Sequence, residues 1–483
     1  MEPQQVAVAR TSIEKETGSM EQMEKVPPVE RDYSGAPIMK TDPAEIALVK
    51  KLDLTILPIL WLMYFLNFLD RNAIVNGKLD GLAEDLKMKG SEYQTCISIL
   101  FVGYLAGQVP SNMILTRVRP SLYMGGFMAV WAIISGLTGL VKNYHGMLIL
   151  RFFLGVAEAP YYPGALYVLT SFYTRKEVAA RMAIFYTGNI GSNAFAGLIA
   201  AGIFSGMDGK NGLEGWRWLF IITGAITFGI ALVSMYLLPD TPLTTRWLSP
   251  AERQLAHDRI IRDTTEESGS SSTWEGFKQA VFDYRTWIFC LMYNFHLTAN
   301  GFKNFFPSVV KTLGFNTTIT LVLTCPPYLV ACFTNILVCW SSGRYNERTW
   351  HITISKVIAI IGFILSMSTT NVAARYVAMM IFTAATYGVN NICMSWCGQV
   401  LGQTPEKKAV TIAIVNTLGN VSFVYSPYLW PDSGAPRYIM AMSSSASFSA
   451  GVVVCAWILR AVLMRENKRI RESSDEGVML YAY

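Results

Sequence analysis

Residues 54–75 read LTILPILWLMYFLNFLDRNAIV, an apolar run interrupted near its end by Asp70-Arg71-Asn72. About 20 mostly apolar residues cross the hydrocarbon core of a bilayer as a helix, so this run is long enough to span. An acid beside an arginine inside such a span costs free energy unless both face a partner or a water-filled cavity. One stretch thus indicates the fold class and a place to look for chemistry.

Working outward, comparable runs follow at 93–114, 121–142, 146–172, 182–205 and 216–238. After a polar gap come 287–309, 319–341, 351–370, 375–399, 409–430 and 438–463. The pattern predicts an all-α polytopic membrane protein of twelve transmembrane helices. Its organisation is a disordered tail over 1–48, a six-helix bundle over 49–240, a linker over 241–286, a second six-helix bundle over 287–466 and a tail over 467–483. No signal peptide opens the sequence, so the first span is expected to act as its own insertion signal. Within the linker, Ser249-Pro250-Ala251-Glu252 has the form of a capping box and predicts an amphipathic helix through Ile260. Pro163-Gly164, Pro307 and Pro326-Pro327 predict bends; Gly188, Gly191 and Gly197 predict close helix approach.

Composition agrees. Of 483 residues, 52% are hydrophobic and 15% charged, against roughly 25% charged in soluble domains. The net charge of +6 contains no Lys/Arg-rich run, so no nucleic acid is expected as a partner. All eight cysteines lie in apolar stretches, with Cys325, Cys332 and Cys339 seven residues apart as packing residues. The four histidines are scattered and no spacing suits zinc. Neither a phosphate-binding Gly-rich loop nor a nucleophile elbow occurs. These features predict no metal, no cofactor, no enzymatic activity and no ATP-driven pumping.

Orientation follows from the basic residues. With the N-terminus inside, Lys50, Lys51, Arg119, Arg175, Lys176, Arg344, Lys407, Arg465 and their neighbours fall on the cytoplasmic side. Lys78, Lys142, Lys210, Lys311 and Arg375 are among those outside. Roughly twice as many positive charges fall inside, which predicts cytoplasmic termini. Asn316-Thr317-Thr318 is then an external glycosylation sequon at Asn316, while Asn420-Val421-Ser422 lies in a helix and is silent.

The ionisable residues within spans mark the candidate site. Arg151 and Glu158 are seven residues apart on the fourth span and share a face. Asp70 and Arg151 sit at similar depth, so they are expected to pair. Glu158 lies deeper, near the midplane, as a protonatable group. Weaker polar pairs at i,i+4 spacing are Asn189 with Asn193, His296 with Asn300, and Asn416 with Asn420; Asn390 and Asn391 lie mid-helix beside Tyr387. Most of these suit interhelical hydrogen bonds better than ligand contact.

These motifs resemble the major facilitator superfamily, and more narrowly its fungal allantoate permease family of anion:cation symporters. The resemblance rests on Asp70-Arg71-Asn72, Tyr93, Pro110-Ser111-Asn112 and the run from Arg151 through Gly155 to Glu158. Further along it includes Gly215-Trp216-Arg217-Trp218, Pro239-Asp240-Thr241-Pro242, Pro326-Pro327-Tyr328 and Ala435-Pro436-Arg437-Tyr438. It departs at Ser342-Gly343-Arg344, where the family usually has Ser-Asp-Arg, and at Thr223-Gly224 and Glu158-Ala159-Pro160. What the resemblance implies is two pseudo-symmetric six-helix bundles and alternating access. It also implies arginines that bind the anion and acids that take up protons.

Together these readings predict proton-coupled symport of a small organic anion by a monomer in the plasma membrane. Arg71, Arg151, His296, Asn300, Asn390 and Asn391 are the expected substrate-binding residues, and Asp70 and Glu158 the proton-coupling ones. Proton-driven efflux of a secondary metabolite is the alternative, and a non-transporting nutrient sensor a weaker one.

Overall fold

The computed structural model describes residues 42–115, 118–265, 273–402, 404–473 and Tyr481. Most of both expected tails, and the side chains of Arg117, Arg175 and Lys176, lie outside the described residues. Every secondary-structure element among the described residues is helical.

The first bundle contains α1 (Pro43–Gly77), α2 (Glu92–Leu115), α3 (Pro120–Thr138), α4 (Tyr144–Glu158) with α5 (Tyr161–Phe172), α6 (Arg175–Met207) and α7 (Gly215–Leu237). Two linker helices follow, α8 (Pro250–Thr265) and α9 (Thr273–Phe282). The second bundle contains α10 (Tyr284–Ala299) with α11 (Phe306–Lys311), α12 (Thr317–Leu323) with α13 (Cys325–Tyr345), and α14 (Thr349–Ser368). It closes with α15 (Val372–Val400), α16 (Pro405–Asn420) with α17 (Ser422–Tyr425), and α18 (Ile439–Ser473). All twelve expected spans have a helical counterpart. Among the described residues, nine helices are long and apolar enough to cross a membrane. The second, fourth and seventh spans fall short of that measure. The fourth and seventh are broken helices that carry Arg151, Glu158, His296 and Lys303.

The breaks have a local cause. Pro160 has no N–H to give the Val156 carbonyl, so α4 stops at Glu158 and α5 resumes at Tyr161. The bend thus lies at Ala159-Pro160, earlier than the Pro163-Gly164 expected from sequence. Pro307 and Pro326-Pro327 each open a new helical segment, as expected.

Two glycines set the depth of packing at the centre of the first bundle. A Cβ on Gly103 of α2 would meet the Phe152 carbonyl oxygen at 2.2 Å, and one on Gly155 of α4 would meet that of Leu100 at 2.0 Å. Backbones therefore touch where α2 crosses α4, and the α4 face bearing Arg151 and Glu158 is drawn inward.

The linker is tied to both bundles. The capping box forms as expected, with Glu252 N–H to Ser249 Oγ at 3.3 Å and Ser249 N–H to Glu252 Oε2 at 2.7 Å. Lys51 pairs with Glu252 at 2.9 Å, and buried Arg259 pairs with Glu177 at 2.7 Å. At the second bundle Asp283 receives Arg285 and Lys407, both at 2.7 Å. Burial alone would raise the Asp283 carboxyl, but the hydrogen bonds from Arg285 and Lys407 outweigh it and hold the group at about 2. Beside this attachment Trp274 stacks on Phe277 at 5.4 Å, and both are exposed with Phe282, Tyr284 and Trp287. Such a row of exposed aromatics suits the headgroup layer of a membrane.

The opposite face holds the bundles together. Lys78 pairs with Asp432 at 2.6 Å, Gln94 Nε2 donates to the Trp430 carbonyl at 3.1 Å, and Thr95 meets Tyr428 at 3.0 Å. Deeper on the same side, Phe101 of α2 stacks on Phe423 of α17, with centroids 4.6 Å apart.

Candidate functional site

Between the bundles lies a cavity of about 920 Å³, at the upper end of the size typical of small-molecule sites. It starts beneath the Phe101–Phe423 stack. From there it runs past Arg71, Arg151 and Glu158 to Met182, Gln399 and Lys408, near the linker-side helix ends. Tyr64, Tyr104, Tyr161, Tyr162 and Tyr186 line its first-bundle wall. Asn335, Asn390, Asn391, Asn416 and Asn420 line the second.

The charged groups converge at the deep end. Arg71 Nε donates to Glu158 Oε2 in a short contact; Glu158 is fully buried, and its Oε1 makes no hydrogen bond. The Arg71 guanidinium also lies 4.9 Å from the Tyr104 ring centre and 5.1 Å from that of Phe68. Arg151 is buried, its guanidinium 5.6 Å from the Phe220 ring centre, with Nε and Nη2 lacking hydrogen-bond partners. Unsatisfied arginine nitrogens inside a bilayer are costly, and a bound anion would satisfy them.

The expected Asp70–Arg151 pair is not formed. Adjacent residues point ~100° apart on a helix, and α1 turns Arg71, not Asp70, toward α4. Asp70 instead faces α3 and α7, where it accepts from Ser135 Oγ at 3.3 Å and Thr227 Oγ1 at 3.1 Å. It is fully buried and outside the cavity lining.

The other expected residues divide. Asn390 and Asn391 line the cavity; Asn390 accepts from Tyr293 at 3.0 Å, and Asn391 donates to Asn335 at 3.1 Å. His296 and Asn300 do share a face, with 3.1 Å between Nε2 and Nδ2, but that face is turned away from the cavity. His296 is fully buried, and Asn300 borders only a satellite void of about 20 Å³ beside Lys303 and Asn390. These two are therefore placed behind the wall. Asn316 is exposed and caps α12 through its Oδ1, which accepts from Ile319 N–H at 2.8 Å.

Sequence reasoning missed two cations. Lys303 lies inside the seventh expected span and lines the cavity, its Nζ 4.4 Å from the Phe423 ring centre. Lys356 lies inside the ninth, fully buried on α14, and its Nζ has no hydrogen-bond partner. The rule that flagged Arg151 applied equally to both.

A sequence model described as Major Facilitator Superfamily matches residues 60–427. The chain belongs to the major facilitator superfamily. Among similar proteins, the major facilitator-type transporter hxnP of Emericella nidulans is 30% identical over 91% of this chain and 89% of its own length. The MFS-type transporter efuF of Hormonema carpetanum is 31% identical over 87% and 85%. Among solved structures, a bacterial homolog of the human lysosomal transporter Spinster, inward-facing and unoccupied, superposes with a TM-score of 0.65 at 17% identity. That match covers 86% of this chain and 96% of the other. A D-xylose-proton symporter gives 0.65 at 16% identity over 84% and 97%. At these identities the solved structures speak for the fold alone. This member of the superfamily is a multi-pass membrane transporter of small molecules, not an enzyme.

Proposed function

We propose that this chain imports a small organic anion together with protons, as a monomer in the plasma membrane. One observation carries the reading. The cavity is lined by four cations, Arg71, Arg151, Lys303 and Lys408, against one carboxylate, Glu158. A cavity of that charge attracts anions and repels cations.

In this reading Glu158 and Arg71 form the switch. A proton on Glu158 removes the charge that holds Arg71, and the freed guanidinium binds the substrate carboxylate with Arg151. Asp70, held by Ser135 of α3 and Thr227 of α7, is the second proton-accepting group. Asn390 and Asn391 contact the uncharged part of the substrate. The linker and termini are cytoplasmic, so the cavity opens inward, and Asn316 faces outside as a glycosylation acceptor. Membership of the allantoate permease branch belongs to the same reading. Cotransported protons cancel the ~2.3 kcal/mol per 100 mV that opposes import of each negative charge.

The test is uptake of labelled small carboxylates by cells expressing the protein, with and without a protonophore. Accumulation should collapse with the protonophore, and Glu158→Gln should abolish accumulation while leaving downhill exchange. Accumulation indifferent to the protonophore would remove the symport reading, and net outward movement would replace import with efflux.

A further inference from the structure

We infer that the second bundle supplies its own anion-binding group, Lys303, and that the transported carboxylate is shared between Lys303 and Arg71 across the bundle interface. This rests on the anion reading above and names the residues that close the site from the other side.

Lys303 sits in the short 3₁₀ turn Asn300–Asn304 that joins α10 to α11. A 3₁₀ turn inside a span interrupts its α-helical bonding, and here it presents Lys303 and Asn304 to the cavity. No hydrogen bond or ion pair reaches the Lys303 ammonium among the described residues; it lies over the Phe423 ring, 4.4 Å from its centre. The next residue, Asn304, also lines the cavity, and its Nδ2 is buried without a partner.

On the other side of the interface the arrangement repeats. Phe423 stacks on Phe101, and the Arg71 guanidinium lies 6.0 Å from the Phe101 ring centre. Two cations, one per bundle, thus flank a stacked aromatic pair that roofs the cavity. Arg71 has Glu158 to neutralise it; Lys303 has no carboxylate partner among the described residues. An oxyanion beneath the stack, with one oxygen toward each cation, satisfies both and takes the Asn304 amide as a third donor.

This placement ties binding to movement. Cations on opposite bundles repel, and an anion held by both draws the bundles together. Affinity then depends on how closely they approach, which is what a ligand needs to shift a conformational equilibrium. A group held by one bundle alone would give no such bias.

The experiment uses the full-length protein in proteoliposomes with a panel of labelled probes: benzoate, lactate and succinate, with benzamide as the uncharged control. Lys303→Gln should raise the KM for a transported carboxylate at least tenfold, and Lys303→Arg should recover most of it. Binding of benzamide, followed by thermal shift, should not distinguish the variants. In the wild-type protein, reductive methylation of Lys303, read by mass spectrometry, should be blocked by the transported carboxylate and not by benzamide. This arm needs no variant to fold. A wild-type protein that moves no carboxylate on the panel would sink the anion reading itself. One that moves a carboxylate, with Lys303→Gln unchanged in KM or Lys303 methylated freely at saturation, would overturn only the assignment of Lys303.

Discussion

The two walls of the cavity solve the problem of polarity inside a membrane differently. The first bundle concentrates ionic groups, Asp70, Arg71, Arg151 and Glu158, and holds them with a salt bridge, hydroxyls and aromatic faces. The second presents asparagines that bond one another or a tyrosine, with two charged exceptions, Lys303 at the deep end and Lys408 near the linker side. Carboxylates such as Asp70 and Glu158 take up protons, and amides do not. On the symport reading proposed above, coupling chemistry belongs to the first wall, and shape and hydrogen-bond selection to the second.

The contrast breaks most sharply at Arg71. Arg71→Ala leaves Glu158 buried and unpaired, a loss of about 3–5 kcal/mol, so we expect reduced thermal stability in detergent and transport below 1% of wild type, about 100-fold down (~2.7 kcal/mol). The double variant Arg71→Met with Glu158→Leu should regain the stability but not the transport. If it stays as unstable as the single variant, the pair is not what holds these helices.

Next in size is the backbone contact that places the ionic wall. Gly155→Ala puts a methyl group 2.0 Å from the Leu100 carbonyl oxygen, and overpacking of this kind costs about 1–3 kcal/mol. Size-exclusion profiles and thermal unfolding should both degrade. Gly126→Ala, on α3 with nothing near the added carbon, should be neutral.

Attachment of the linker to the second bundle should be acid-sensitive. The Asp283 carboxyl is held at about 2 against an ordinary 3.8. Its contribution to stability is thus complete above pH 3.8 and lost as pH falls toward 2. Asp283→Asn should flatten the acid limb of a stability–pH curve in that window; an unchanged limb would mean that the attachment does not depend on this charge.

The smallest effect belongs to the amide wall. Asn391→Ala removes one interhelical hydrogen bond, worth about 0.6 kcal/mol. We expect a KM change of about threefold (~0.65 kcal/mol) with the pH profile unaltered. A shifted pH profile would erase the division of labour between the walls.

Much of this was legible in one dimension. Span positions follow from apolar length alone, and both the linker capping box and the breaks at Pro307 and Pro326 follow from residue type. What did not follow was rotation. Depth along a helix can be counted, but which of Asp70 and Arg71 faces α4 depends on how α1 is turned against three neighbours. His296 and Asn300 illustrate the same limit: their shared face was correct, and its direction was not. Lys303 was hidden among Phe302, Phe305 and Phe306, in a segment whose apolar content masks the break in its helix.

The exposed aromatics around the linker's second attachment have one more consequence. Rings that prefer the headgroup layer act as a waterline, fixing how high the whole barrel of helices floats. Any rocking of the second bundle must drag that waterline through the lipids or leave it behind. The thickness and packing of the surrounding bilayer thereby become part of the machine's mechanical load.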